Sequence, residues 1–390
     1  MKRPTHGGNL SWAAEIADCS PNALLDFSAS INPLGIPDSA IDVLTQSADA
    51  LTAYPDPNYS ALKAAIAAHH DIDPHWILPG NGAAELLTWA CRELAELKKT
   101  YLLTPGFADY DRALAAFGAQ VTRVPLQDFG QSLLPVAGLP RSLSAPMALK
   151  QNNGILINNP HNPTGQWATA ETLRSEILEN PHYSLVVVDE AFMDFLPESQ
   201  SQSVIPWIQD YPQLVVVRSL TKFYAIPGLR LGYAIAHPDR LTRWQQWRDP
   251  WSVNTLAAIV GEVVLQDQVF QAKTYAWLAE AKPLLVDGLR SIEGLQIYEG
   301  AVNFLLIRLN YSVMELQTRL LRNHRIYIRD CMSFPELGDR FFRVAVRTVA
   351  ENQKLVAALM VELAEMVELA EIDDENSNSK FGIGSKLRNF

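Results

Sequence analysis

Cysteine is scarce. Cys19, Cys91 and Cys331 are odd in number and far apart, which excludes a disulfide framework and suits a reducing, cytoplasmic compartment. Neither they nor the eight histidines fall at metal-ligand spacings, and HExxH is absent, so no metal site is expected. No apolar run approaches the roughly 18–20 residues of a membrane helix. Lys2-Arg3 leads into Pro4-Thr5-His6-Gly7-Gly8-Asn9, where a signal peptide would need an apolar stretch. Basic charge is short as well: 32 Lys+Arg against 43 Asp+Glu leave −11, the wrong balance for a nucleic-acid partner. Any anion must therefore be met by a local cluster of basic side chains. No internal repeat is visible.

What is present is a globular balance, 48% apolar and 19% charged, in 390 residues, a length that favours two domains. Short Val/Ile/Leu-rich runs at 101–104, 155–158, 185–188, 214–218 and 231–236 read as strands covered on both faces, with helices such as 83–97 and 109–117 between them. The fold class is α/β. Strand ends at Asn158, Val188 and Arg218 lie about 30 residues apart, one strand–helix–strand unit each, so the residues after them share the carboxyl edge of a mainly parallel sheet. The gap from Leu220 to Leu231 is too short for a parallel crossover, which makes 231–236 antiparallel to its predecessor. Further strands at 304–309, 326–329 and 341–346, with a helix over 351–370, form a smaller α+β domain. The expected division is a large domain over 46–260, a small domain from 1–45 with 261–370, and a mobile tail over 371–390. The tail's Gly382-Ile383-Gly384-Ser385-Lys386 has the wrong spacing for a phosphate loop.

Four groups of residues could carry chemistry. Gly80-Asn81-Gly82-Ala83-Ala84-Glu85 half-matches GxGxxG but has Glu85 in place of the third glycine. Read physically, it is either a tight turn or small residues that bring helix N-terminal amides close to an anion. Asn158-Asn159-Pro160-His161-Asn162-Pro163-Thr164-Gly165 follows a strand as a fixed, irregular loop, with Asn162 offering a donor and an acceptor. Asp189-Glu190 places two carboxylates at the end of a buried strand, where each needs a partner, whether a structural ion pair or a ligand. Ser219-Leu220-Thr221-Lys222 puts a lysine with two hydroxyls beside a strand end, and Arg230 follows. An amine in a dry pocket can lose its proton and attack carbonyls, while hydroxyls and a guanidinium suit a phosphate.

In this order the motifs resemble those of the fold-type I pyridoxal-5′-phosphate (PLP) enzymes, the aspartate aminotransferase superfamily, over roughly residues 1–365. The resemblance implies PLP as cofactor in the large domain. Lys222 would bind its aldehyde covalently and later move a proton. Asp189 would pair with the ring nitrogen, and Asn162 would hydrogen-bond the 3′-oxygen. Phe107, in Thr104-Pro105-Gly106-Phe107, would stack on the ring. Gly82, Ala83, Ala84, Ser219, Thr221 and Arg230 would hold the phosphate. Tyr54, in Tyr54-Pro55-Asp56, resembles the tyrosine that reaches a neighbouring subunit's site, which implies a homodimer. Phe192 stands where the family often has a tyrosine, leaving the 3′-oxygen one donor fewer.

Fold does not choose among PLP reactions, so the substrate end must. Arg343, in Phe341-Phe342-Arg343-Val344, matches the superfamily's carboxylate-binding arginine, and Arg329, in Ile328-Arg329-Asp330-Cys331, would meet a second anion. Arg347 reads as a supporting charge further along the same strand face. Two subfamilies take such phosphorylated substrates: histidinol-phosphate aminotransferases and L-threonine-O-3-phosphate decarboxylases. The second is the closer resemblance, through His6-Gly7-Gly8-Asn9, the stretch from Leu25 to Gly35, residues 219–232, and Pro250-Trp251-Ser252-Val253-Asn254. It implies that His6, Gly7, Asn162, Arg329 and Arg343 enclose the substrate. Ser30, where that subfamily commonly has Asn, is a shorter donor at the same position. The implied reaction is decarboxylation on the arm of adenosylcobalamin biosynthesis that makes aminopropanol phosphate. Rival readings are histidinol-phosphate transamination, a non-catalytic PLP-fold effector domain, and a nicotinamide-dependent oxidoreductase.

Overall fold

A computed structural model describes residues 3–126, 129, 132–134, 136–140 and 152–383. Its strands are β1 Leu25–Asp26, β2 Ile77–Asn81, β3 Lys99–Thr104, β4 Val121–Pro125, β5 Asn153–Asn158, β6 Tyr183–Asp189, β7 Leu214–Ser219, β8 Leu231–Ala236, β9 Leu295–Tyr298, β10 Phe304–Leu309, β11 Ile326–Tyr327, β12 Arg329–Asp330 and β13 Phe341–Ala345.

The large sheet has the order β2-β8-β7-β6-β5-β3-β4. Its neighbours run parallel except at β8, which is antiparallel to both β2 and β7, as the short link before it requires. Alternation along the central strands builds two apolar layers. Ile155, Ile157, Val186, Val188 and Val216 face one layer. Leu156, Leu185, Val187, Val215 and Val217 face the other, against Leu86 and Leu94 of the helix Ala83–Ala95. Each such side chain contributes about 1.5–3 kcal/mol on burial, which is why these runs are unbroken by polar residues. Polar residues begin where the strands end. Asn158 pairs in register with Asp189, and Ser219 closes β7 beside them, so the three motifs meet at one sheet edge.

Strands β1, β2, β4 and β9 were not expected. β2 contains Pro79 and Gly80, which disguise it, and it lies at the sheet margin, where a proline is tolerated.

In the smaller unit the sheet order is β12-β13-β10-β9, fully antiparallel, and β1 pairs in parallel with β11. The single strand expected over 326–329 is thus two: the chain changes partner at Ile328, so one apolar run serves two sheets. The helices Gln268–Arg290 and Val349–Ile383 share this unit's core through Leu285, Leu289, Leu355 and Leu359. The last helix does not stop near 370 as its apolar pattern predicted. The backbone remains helical to Ile383, because extending a formed helix adds a hydrogen bond for each residue fixed and requires no apolar side chain. Of the tail expected over 371–390, residues 371–383 are helical in backbone, and 384–390 lie outside the described residues. Among the described residues no helix is long and apolar enough to cross a membrane, and no cluster of His, Cys, Asp or Glu could hold a metal ion.

Candidate active site

The carboxyl edge of β5, β6 and β7 opens into a cavity of about 320 Å³, whose lining includes Asp189, Lys222, Phe107 and Ala84. Asp189 stands at the end of β6, buried. Its Oδ2 accepts from the Tyr110 hydroxyl at 2.5 Å and its Oδ1 from the Ala191 N–H at 2.9 Å. Burial raises the Asp189 carboxyl above its ordinary value, against the Tyr110 hydrogen bond and the Lys222 charge. The sequence reading missed Tyr110. Its signal was its place three residues after Phe107 at the start of the helix Ala108–Ala116, which turns both rings to one face, 5.5 Å apart. Glu190 turns the other way. It accepts from Arg218 at 2.9 Å, Ser203 at 2.7 Å and the Val204 N–H at 2.9 Å. The structural ion pair weighed for this motif is therefore real for Glu190, and Asp189 is left to the cavity.

Lys222 follows β7. Burial lowers its amine to about 8; Asp189 opposes that shift, and Arg343 and Arg230 reinforce it. Its Nζ lies 4.5 Å from the centre of the Phe192 ring, so the residue replacing the family's tyrosine supplies an apolar wall instead of a donor. Asn162 is buried, its N–H donating to Asn158 Oδ1 at 2.6 Å. Its side-chain oxygen accepts from Arg343, which leaves its amide NH2 to donate.

At the other end of this cavity the helix Ala83–Ala95 begins with no side chain capping it, so its first amides are open to an anion. Gly82 has φ of 75°, and a Cβ there would meet Arg230 Nη2 at 2.6 Å; only glycine lets the guanidinium lie so close. Ser219 and Thr221 line the same end. Glu85 turns back onto the helix start, accepting from the Asn81 N–H at 2.6 Å and the Trp89 indole at 3.2 Å, a role no glycine could take.

An adjoining cavity of about 150 Å³ shares Lys222, Asn162, Phe107 and Phe192 and adds Arg329, Arg343, Ser30 and Ser333. Arg329 on β12 sits directly opposite Arg343 on β13, and both are buried. Like charges across a ladder repel, and among the described residues neither makes an ion pair. Arg329 donates to the Thr5 carbonyl and, at 2.8 Å, to Ser333 Oγ, while its Nη1 has no partner. Burial and then the Arg329 charge lower Arg343 to about 10. Ser333 is a second residue the sequence did not single out. Ser30 Oγ is buried here without a partner. The His6 ring lies 5.6 Å from Phe107, and partial covering followed by the Arg329 charge holds its imidazole below its usual value. Gly7 packs so tightly that a Cβ would stand 2.2 Å from the Ser28 carbonyl.

Two expected residues lie elsewhere. Tyr54 is 78% exposed, stacked on Trp251 at 4.5 Å, away from its own chain's cavities. Arg347 falls beyond the end of β13 and not along its face, bonding Glu351 at 2.9 Å and the Asp26 carbonyl at 3.0 Å, a supporting role.

The residues present fit PLP, as expected from the sequence: an amine depressed by burial for its aldehyde, a buried carboxyl for its ring nitrogen, an amide donor for its 3′-oxygen, and an open helix start with two hydroxyls and a guanidinium for its phosphate. Comparison with known proteins adds independent findings. The signature of the family described as aminotransferase class I and II matches residues 22–359. The threonine-phosphate decarboxylase of Salmonella typhimurium is 40% identical over 91% of this chain and 95% of its own length. The adenosylcobalamin biosynthesis bifunctional protein CobDQ of Leptospira interrogans is 31% identical over 92% of this chain and 41% of its own length. Among solved structures, histidinol-phosphate aminotransferase from Clostridium acetobutylicum superposes with a TM-score of 0.77 at 27% identity, covering 86% of this chain and 98% of that one.

Proposed function

The chain belongs to the aminotransferase class I and II family, and on that premise we propose that it is a PLP-dependent carboxy-lyase. Its substrate is L-threonine O-3-phosphate, its products (R)-1-amino-2-propanol O-2-phosphate and CO2, and its setting adenosylcobalamin biosynthesis in the cytoplasm. The observation that carries the reading is the pair of buried, facing guanidiniums of Arg329 and Arg343, which a substrate with two separate anionic groups completes.

PLP, held at Lys222, would supply a conjugated ring that accepts the electron pair left at Cα when a bond there breaks. The chain's own residues decide which bond that is. Arg343 grips the carboxylate through a planar fork whose direction is fixed by Asn162 Oδ1 and by the Phe304 ring, 4.5 Å from the guanidinium carbon. Arg329, with Ser333 and His6, takes the phosphate. By pinning both anions, Arg343 and Arg329 would fix how Cα is presented, so that the carboxylate and not the hydrogen would be the group released, a positioning effect. Asp189, oriented by Tyr110 and the Ala191 N–H, would pair with the ring nitrogen. Lys222, on the wall common to both cavities, would be freed when the substrate amine takes its place, and its Nζ would return a proton to Cα once CO2 has left. Ser30 lines the adjoining cavity, and its buried hydroxyl has no partner. A homodimer in which the exposed Tyr54 reaches the neighbouring subunit's phosphate end accounts for its distance from its own site.

Incubation of the PLP-loaded protein with L-threonine O-3-phosphate should release CO2 with no requirement for a keto acid. Turnover of histidinol phosphate that depends on 2-oxoglutarate, without CO2 release from phosphothreonine, would overturn the assignment in favour of transamination.

A further inference from the structure

Strand β12 is two residues long, and its faces diverge. Arg329 turns into the substrate cavity, and Asp330, next along the strand, turns to the other side, where its side chain is buried. Asp330 Oδ2 accepts from Arg3 Nη1 at 2.9 Å and from Gln317 Nε2 at 3.1 Å, and its Oδ1 accepts from the Met332 N–H at 3.1 Å. Among the described residues Arg3 is its one cationic partner. Arg3 Nη1 also donates to Gln317 Oε1 at 2.5 Å, and the guanidinium lies 5.5 Å from the Trp12 ring centre. A buried carboxylate that loses its only cation is left uncompensated, so this pair resists separation.

The chain between Arg3 and the first helix then lines the substrate cavity through His6 and Gly7. Thr5 gives its carbonyl to Arg329, His6 faces Phe107, and Gly8 N–H donates to Ser28 Oγ at 2.8 Å. Residues 3–8 therefore form a strap whose far end is tied to the same two-residue strand that carries the anion-binding Arg329.

We infer that Arg3 is a positioning residue for substrate binding: its ion pair with Asp330 holds the strap closed and so places His6 and the Thr5-bound Arg329 against the phosphate of the substrate. The inference rests on the proposed reading of the substrate, and it concerns a residue that touches neither substrate nor cofactor.

The test uses the PLP-loaded full chain with Arg3→Ala, Arg3→Lys, His6→Ala and the Arg3→Ala/His6→Ala double variant. Arg3→Ala should raise KM for L-threonine O-3-phosphate about 10-fold, the fold-change of ~1.4 kcal/mol, with kcat within two-fold, and should lower the thermal midpoint because the buried Asp330 loses its cation. Arg3→Lys should recover most of it. The double variant should be little worse than His6→Ala alone, because both changes disable the same strap. Hydrogen–deuterium exchange of the N-terminal peptide, read without any substrate, should quicken about 10-fold in Arg3→Ala as the Gly8 amide is released from Ser28. A KM and an exchange rate both unchanged in Arg3→Ala would overturn the clamp, and so would fully additive effects in the double variant. Faster exchange in a protein that fails to decarboxylate phosphothreonine would uphold the clamp and sink the substrate reading.

Discussion

Arg218 and Arg343 are both buried guanidiniums on strands that flank adjoining cavities, yet their surroundings differ. Burial works against the charge on Arg218, but the carboxylates of Glu190 and Asp194, at 2.9 and 2.5 Å, outweigh it and raise its pKa above the ordinary arginine value. Arg343 suffers the same burial, has a second guanidinium opposite and no carboxylate beside it, and is lowered to about 10. A buried ion is tolerated only when paired and hydrogen-bonded. The first arginine is complete as the chain folds; the second is completed by what binds. Structural and functional charges in this molecule are thus separated by what their neighbours leave unsatisfied.

The sharpest way to break that contrast is to change both arginines to lysine. Arg343→Lys should lower kcat/KM for phosphothreonine by ~10²-fold or more, about 3 kcal/mol of lost bidentate binding, with little change in thermal midpoint. Arg218→Lys should do the reverse, lowering the midpoint by several degrees through loss of a buried network worth about 2–3 kcal/mol. Equal stability losses in the two variants would erase the distinction.

Lys222 extends the contrast to a group whose charge is marginal. Its amine, lowered to about 8 by burial, must be neutral to capture an aldehyde. The rate of PLP uptake by the cofactor-free chain should therefore rise about tenfold per pH unit up to pH 8 and flatten above it. An ordinary lysine, near 10.4, would still be climbing at pH 10. Stopped-flow absorbance across pH 6–10 distinguishes the two.

How much of this could be read from the chain follows from the same physics. The cofactor end lies on strands buried on both faces, which show as unbroken apolar runs ending abruptly in Asn158, Asp189 and Ser219. A polar residue at such a boundary is conspicuous, and the antiparallel β8 followed from loop length alone. The substrate end is assembled from segments far apart in sequence. The Arg329–Arg343 confrontation depends on an antiparallel register, and the Arg3–Asp330 pair spans almost the whole chain. Neither has a local signature. Tyr110 and Ser333 were missed for a related reason: each acts on another functional group, Asp189 or Arg329, and not within a motif of its own.

Tyr110 gives a smaller but signed effect. Its hydroxyl stabilises the Asp189 carboxylate against burial, so Tyr110→Phe should raise the Asp189 pKa further. The ionised form is the one required beside the ring nitrogen. The acid limb of the kcat/KM profile should therefore move to higher pH, with a loss of up to about 10-fold on that limb that shrinks as pH rises above it, in keeping with about 1.5 kcal/mol for a hydrogen bond to a charged group. A uniform loss at every pH would point to packing alone.

Ser30 offers the smallest and most discriminating comparison, because one atom is asked to choose between the two kinds of site. Its carbonyl accepts from Asn303 at 3.0 Å and belongs to the framework, whereas its hydroxyl is buried and unpartnered beside Arg329 and Arg343. Ser30→Ala removes only the hydroxyl. If that group were structural, its loss would destabilise the fold. An unmet buried hydroxyl instead costs stability, so alanine should leave the folding stability equal or up to about 1 kcal/mol higher. KM for phosphothreonine should rise two- to five-fold, about 0.4–1 kcal/mol for one lost hydrogen bond. A gain in stability with a loss in binding is what a hydroxyl held in reserve for substrate must show, and an unchanged KM would return Ser30 to the framework.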